Sequence, residues 1–238
     1  MVTQLKLGEI RATVVRKRIR NIHLSVHPPT GHVTIAAPDW VALDSIRLFA
    51  INKLAWIRRQ QRKQRAQQRE PAREYIERES HYVWGRRYLL RLVKADAPSS
   101  VELRHNKLVL QVRPGADWSK RHAVMEDWYR RLLRDAVQSV LAKWEPIVGR
   151  KVDHVYIQRM KTKWGGCNPA RRNIRLNTDL ARKPRECLEY VLVHELAHLH
   201  EPTHSAKFTT LMDRMMPEWR EVRSRLNELP IGSFDCSG

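Results

Sequence analysis

Apolar and polar residues alternate with a period of two over Ile10 to Arg18, Ile22 to Val26 and Val33 to Ala36. Pro28-Pro29-Thr30-Gly31 supplies a turn between the last two segments, so three short strands are expected, with Arg11, Arg16, Lys17, Arg18 and Arg20 outward. After Asp39 the period lengthens to about 3.6, and Val41, Ile46, Phe49, Ala50, Leu54 and Ile57 share one helical face. That helix is expected to run on through Arg58 to Arg69, a stretch with six basic residues and no acid, and to stop at Pro71. Alternation returns around Gly85-Arg86 and around His105-Asn106, which predicts hairpins over 81–93 and 101–112.

Beyond Pro114-Gly115 the spacing of Val124, Trp128, Leu132, Leu133, Val137, Val140, Leu141 and Trp144 predicts one long helix from about Ser119 to Val148. Strands are expected at 152–160 and at Asn173 to Leu176, with Trp164-Gly165-Gly166 between them, either as a cleft rim or as a tight turn with Trp164 in the core. An amphipathic helix follows from Pro184 to His200. The sum is an α+β chain: a basic, strand-rich N-terminal part over 1–115 with one long helix, then a mainly helical part with a small sheet over 116–238. The two are expected to pack as one unit.

Composition narrows the class. The 238 residues suffice for a sizeable core, and 42% hydrophobic with 29% charged side chains is a globular balance. Apolar runs such as Val191-Leu192-Val193 are far shorter than a membrane span, so no membrane partner is expected. The first ten residues show neither an apolar leader core nor a cleavage site, and a cytoplasmic location is expected. Cys167, Cys187 and Cys236 lack paired spacing and read as free thiols. Charge is the unusual property. Lys and Arg number 45 against 25 acids, a net +20, of which residues 1–150 hold +16. Sequence-independent contact with nucleic acid through Arg58, Arg59, Arg62, Lys63 and Arg65, which with Arg11, Arg16, Lys17, Arg18 and Arg20 could form one basic face, is the corresponding expectation, since no motif for base readout is present.

The chemistry concentrates in His194-Glu195-Leu196-Ala197-His198. Histidines four apart on a helix lie about 40° apart in azimuth and one turn apart along the axis, so both imidazoles reach one metal ion. Glu195 flanks the first ligand and reaches a zinc-bound water, from which it can take a proton as general base. A catalytic zinc requires a third protein ligand. His204 is the leading candidate, because Pro202 ends the helix and the chain turns back before a new helix with Ser205 as N-cap. Glu201 is a competing donor. His200, displaced by two residues from His198, points off the ligand face. The expectation is one zinc per chain, a protein or peptide substrate, and a cleft rim that includes Trp164 and Gly165.

Four segments carry a resemblance to the YgjP-like metallopeptidases, relatives of the SprT-like zinc proteases. Met160 to Cys167 resembles that family's M-K-T-R-W-G-S-C block, and Ile174-Arg175-Leu176-Asn177 its I-x-L-N strand. His194 to Leu199 matches H-E-L-x-H-L, and His204 to Phe208 matches H-S-x-x-F. The resemblance implies zinc ligation by His194, His198 and His204, catalysis by Glu195, and a place for Asn177 beside the substrate cleft. Gly166 stands where the family usually has Ser, and Thr209 where it often has Trp. The metzincin pattern shares the histidine spacing, but Glu201 occupies its glycine position. The competing reading is a nucleic-acid-associated protein, either a protease acting on DNA- or RNA-bound proteins or a binder with structural zinc.

Overall fold

The computed structural model of the chain describes residues 2–27, 30–66, 73–160 and 163–229, of 63–66 the backbone alone. The fold is α+β and divides into two compact units, Met1–Arg69 and Glu70–Gly238. The 115/116 boundary read from the sequence falls inside the second unit. Among the described residues no helix is long and apolar enough to cross a membrane.

The first unit is a four-stranded sheet of β1 (Val2–Leu7), β2 (Ile10–Lys17), β3 (His23–His27) and β4 (His32–Pro38), in the order β1-β2-β4-β3. β1 is an added strand that the sequence reading left unassigned. One sheet face, with Leu5, Leu7, Ala12, Val14, Val33 and Ile35, is buried with Ile46 and Ala50 of α1 (Leu43–Asn52) and Ile57 of α2 (Leu54–Ala66). The single long helix expected here is two helices, because Lys53 leaves the helical region at φ −101°, ψ 3°. Arg16 is also corrected. It shares the inward parity of Ala12 and Val14, and its guanidinium donates to the carbonyls of Pro38 and Val41 at 2.8 and 2.5 Å, which satisfies the strand end from within. Of the Arg58–Arg69 run, the side chains of Lys63 and Arg65 and all of residues 67–69 lie outside the described residues, as does Pro71.

The second unit opens with the two expected hairpins, β5 (Ser80–Val83) with β6 (Arg86–Lys94) and β7 (Ser100–Arg104) with β8 (Lys107–Val112), joined in one sheet by the parallel β6–β8 pair. Helix α3 (Trp118–Val148) starts where the Asp117 side chain accepts from the Lys120 amide at 2.8 Å and ends at Gly149, whose φ of 70° favours glycine. Leu90, Val101, Leu108 and Leu110 of the hairpins share one buried cluster with Met125, Tyr129 and Leu133 of α3 and with Leu188 and Leu192 of the histidine-bearing helix. This shared core makes the hairpins part of the second unit.

A second sheet, ordered β10-β11-β9, positions the site: β9 (His154–Gln158), β10 (Gly165–Asn168) and β11 (Asn173–Asn177). β10 carries no strand signal in the sequence, where its two glycines allow either a cleft rim or a turn. Three helices follow, α4 (Arg185–Ala197), α5 (Ala206–Met215) and α6 (Trp219–Glu228), and the last was not foreseen. Ahead of α4, Arg182 is buried with Asp179 and Glu126 as ion-pair partners and lies 4.5 Å from the Tyr129 ring centre.

Candidate metal and peptide site

Helix α4 is buried almost all round, with Cys187, Leu188, Val191, Leu192 and Leu196 in the core. A helix held so rigidly presents His194 and His198 from fixed backbone positions, with ring centres 4.9 Å apart. Regular α geometry stops at Ala197, and the amides of Leu199, His200 and Glu201 close turns onto Leu196 and Ala197. Pro202 prevents a return to helix, and Ser205 caps α5 by accepting from the Phe208 amide at 3.3 Å. His204, immediately before that cap, is thereby carried back over α4.

The three histidines converge. Their ligand nitrogens lie within 4.8 Å of one another, and the Nε2 atoms of His194 and His204 are 3.0 Å apart. The His198 Nδ1–H donates to the Glu201 carbonyl at 3.0 Å, which selects the tautomer whose free Nε2 faces the other two rings. Glu201 thus contributes its backbone, and the competing role for its carboxylate is not what the geometry displays. Its side chain instead accepts from the Thr203 hydroxyl at 2.9 Å. Phe208 supports all three imidazoles: it stacks on His198 at 4.6 Å and meets His194 and His204 edge-on, each at 4.9 Å. His200 turns away and bonds the Val148 carbonyl at 2.7 Å.

These residues fit a divalent cation. All three donors are imidazoles, the borderline ligands zinc takes at about 2.0–2.1 Å, and two such nitrogens in a tetrahedral site stand about 3.4 Å apart. Burial, followed by the neighbouring His198 and His204, pushes the His194 imidazole down to about 3, so it is in the neutral form a metal needs. Among the described residues His194 Nδ1 is buried with no hydrogen-bond partner, so this ring lacks there the outer contact that fixes His198.

Glu195 lies beside the triad, 6% exposed, with burial raising its carboxyl to about 7 against an opposing pull from Lys163. Gly165 packs directly on it; a β-carbon there would stand 2.6 Å from Glu195 Oε1 and 2.8 Å from Val191 Cγ1. The open cleft over these groups measures about 780 Å³ and includes Trp164 and Gly165 on one side and Tyr190, Trp219 and Arg223 on another. Of the expected rim residues, Asn177 is not brought to the cleft. It is buried, and its amide ties the Met160 and Lys163 carbonyls at 2.8 and 2.9 Å, so it anchors the loop that carries Trp164. Lys161 and Thr162, within the resemblance block, lie outside the described residues. Cys167 lines the cleft as a thiol raised to about 11 by burial and by Glu195. Tyr190, Trp219 and Arg223 were missed. Tyr190 stacks on Trp219 at 6.4 Å and meets His194 edge-on at 5.9 Å, an association across two helices that no spacing in the chain displays.

A three-histidine cluster beside a buried carboxylate, in an open cleft bordered by an edge strand, defines a metal-dependent hydrolase site. The YgjP-like metallopeptidase domain matches residues 20–229, and the chain belongs to that family. Two solved structures are similar over part of the chain. The metallopeptidase zymogen of Pyrococcus abyssi abylysin is 26% identical, with 41% of this chain and 90% of that one covered and a TM-score of 0.32. That of Methanocaldococcus jannaschii jannalysin is 22% identical, with 40% and 92% covered and a TM-score of 0.33. No curated protein matches the chain.

Proposed function

We propose that this chain is a zinc-dependent peptidase that hydrolyses peptide bonds with Glu195 as general base and His194, His198 and His204 as the ligands of one zinc ion. The observation that carries the reading is the convergence of three imidazole nitrogens within 4.8 Å beside a carboxyl raised to about 7. Zinc at such a site supplies Lewis acidity, which polarises a carbonyl and lowers the pKa of water toward neutrality. The protein's own groups do the rest. Glu195, poised near neutral pH, accepts the proton of the attacking water at its carboxylate and passes it to the departing amine. Lys163 keeps a population of the ionised carboxylate by opposing the effect of burial. Phe208 and the Glu201 carbonyl hold the rings so that no reorganisation is required when substrate arrives.

Among the described residues β10 is an edge strand, paired with β11 alone, and a β-carbon at Gly166 would meet nothing within 4 Å. An extended peptide added there as a further strand would lie across Glu195, with main-chain hydrogen bonds supplying affinity. The substrate is therefore a protein or peptide in extended form. A cytoplasmic site of action accords with the free thiols of Cys167 and Cys187.

The test is metal content per chain by elemental mass spectrometry, for wild type, His204→Ala and Glu195→Gln, with hydrolysis of a fluorescence-quenched casein measured in parallel. Wild type is expected to hold about one zinc, His204→Ala much less, and Glu195→Gln a full complement without turnover. Parent-level hydrolysis by Glu195→Gln would end the general-base assignment. Absence of zinc from folded wild type after zinc is supplied would end the metal assignment.

A further inference from the structure

We propose that the open face of the β1–β4 sheet binds the phosphate backbone of nucleic acid without reading its sequence. Met1–Arg69 carries 14 Lys and Arg against 3 acids, a net +11 of the chain's +20. The first unit thus concentrates more than half of the charge in under a third of the residues.

The strand registers show how that charge is presented. Lys6 is the Cα partner of Arg11, Gln4 of Thr13, and Thr13 of Thr34, which pairs in turn with Ser25. These residues share the face opposite the core, together with Lys17, His23, His27 and His32. The Gln4 amide donates to the Thr13 hydroxyl at 3.1 Å, and Thr13 Oγ1 lies 3.0 Å from His32 Nε2, so the middle of the face is a continuous row of hydrogen-bonding groups. Lys6, Arg11 and Lys17 are all exposed. Arg11 and Lys17 are six residues apart on one strand, about 20 Å, over which duplex DNA presents about 12 phosphates.

No acid lies on this face. The unit's three acids are Glu9 in the β1–β2 turn, Asp39 after β4, and Asp44, which lies 3.4 Å from Arg47 in α1. Like charges directly opposite in a sheet are destabilising. Lys6 and Arg11 occupy such a position with no offsetting carboxylate, and a polyanion is the partner that relieves it. The face has no Trp, Tyr or Phe on which bases would stack, so contact is to phosphate and sugar. Apart from Val2 the four strands offer no exposed large apolar side chain on this face to enter a lipid surface or to anchor a protein interface; Trp40, exposed, lies in the turn past β4. The single basic face expected from the sequence, with the α2 run and the strand arginines together, is divided by the sheet. Arg58, Arg59 and Arg62 are exposed on a helix packed against the opposite sheet face.

The experiment is fluorescence anisotropy of a fluorescein-labelled 30-base-pair DNA of mixed sequence titrated with the full chain between 50 and 200 mM KCl. Two sets of variants are compared, Lys6→Gln/Arg11→Gln/Lys17→Gln and Arg58→Gln/Arg59→Gln/Arg62→Gln, with circular dichroism as the folding check and single Arg11→Gln in reserve. The expected result is salt-sensitive binding that is equal for a second, unrelated sequence. The sheet variant should weaken it by more than tenfold and flatten the slope of log K against log salt by about 3. Arg11→Gln alone should flatten it by about 1, and the helix variant should stay within threefold of wild type. Loss of binding in the helix variant but not the sheet variant overturns the proposal, as does binding indifferent to salt or absent at 50 mM. Capture by phosphatidylserine vesicles without capture by DNA overturns it in favour of a membrane.

Discussion

Gly165 stands so close to Glu195 that an added β-carbon would come within 2.6 Å of the carboxylate Oε1. This contact joins the edge strand β10 to the helix that carries the site and holds the Glu195 carboxylate against the strand where substrate is expected to lie.

Gly165→Ala is therefore expected to push the carboxylate aside and to press on Val191 Cγ1, 2.8 Å from the same β-carbon. Overpacking of this kind costs about 1–3 kcal/mol. The variant should bind zinc as wild type does, unfold at lower denaturant, and lose casein hydrolysis. Full activity in a normally stable variant would show that Glu195 does not need its present position.

Metal supply should stabilise the fold. A ligand at a concentration of 100 times its Kd stabilises the native state by about 2.7 kcal/mol. Thermal unfolding with and without zinc should show an upward shift in wild type and little in His204→Ala. Ser205→Ala, which removes the cap beside His204, should cost about 1 kcal/mol and reduce the zinc-dependent shift. An equal shift in wild type and His204→Ala would place the metal elsewhere.

Arg182 pairs with the buried carboxylate of Asp179 and the partly buried one of Glu126, while itself only 8% exposed. Arg182→Ala leaves both without a counter-charge in the interior, at a cost of about 3–5 kcal/mol. Urea unfolding followed by tryptophan fluorescence measures the loss; a change under 1 kcal/mol would mean that the pair is solvated.

The pH dependence of stability should include Glu79. Burial would raise its carboxyl, but hydrogen bonds from His81 and from the Glu74 and Tyr75 amides outweigh that and hold it below the usual 4.5. A folded pKa below the unfolded one means stability that is present above 4.5 and lost as pH falls through the folded value. His81, held below its ordinary 6.5 chiefly by burial, acts in the same direction, since acid must charge it in the unfolded state first. Glu79→Gln should be destabilised by about 1–3 kcal/mol at neutral pH, with the gap to wild type closing below about pH 4.5. A gap that is constant with pH would remove the charge from the account.

Relations within one element were legible in the chain. His194 and His198 share a face because a helix repeats every 3.6 residues, and the stripe from Val124 to Trp144 defines α3 for the same reason. His204 was legible because Pro202 and Ser205 mark a stop and a start. The hairpins at Gly85-Arg86 and His105-Asn106 were legible as turns between alternating runs.

Relations between elements were decided by packing. β10 contains Gly165-Gly166, which have no preference for a strand; it is one because β11 offers it a ladder. Arg16 turned inward because strand parity and the carbonyls of Pro38 and Val41 outweighed its charge. Asn177 became an anchor because two loop carbonyls needed a donor. Trp219 and Arg223 joined Tyr190 of α4 at the cleft only through the docking of α6 on α4. By itself the sequence determined which groups are the candidates for the chemistry, since ligand spacing is local; tertiary structure alone decided what surrounds them, since burial and ladder pairing join residues far apart in the chain.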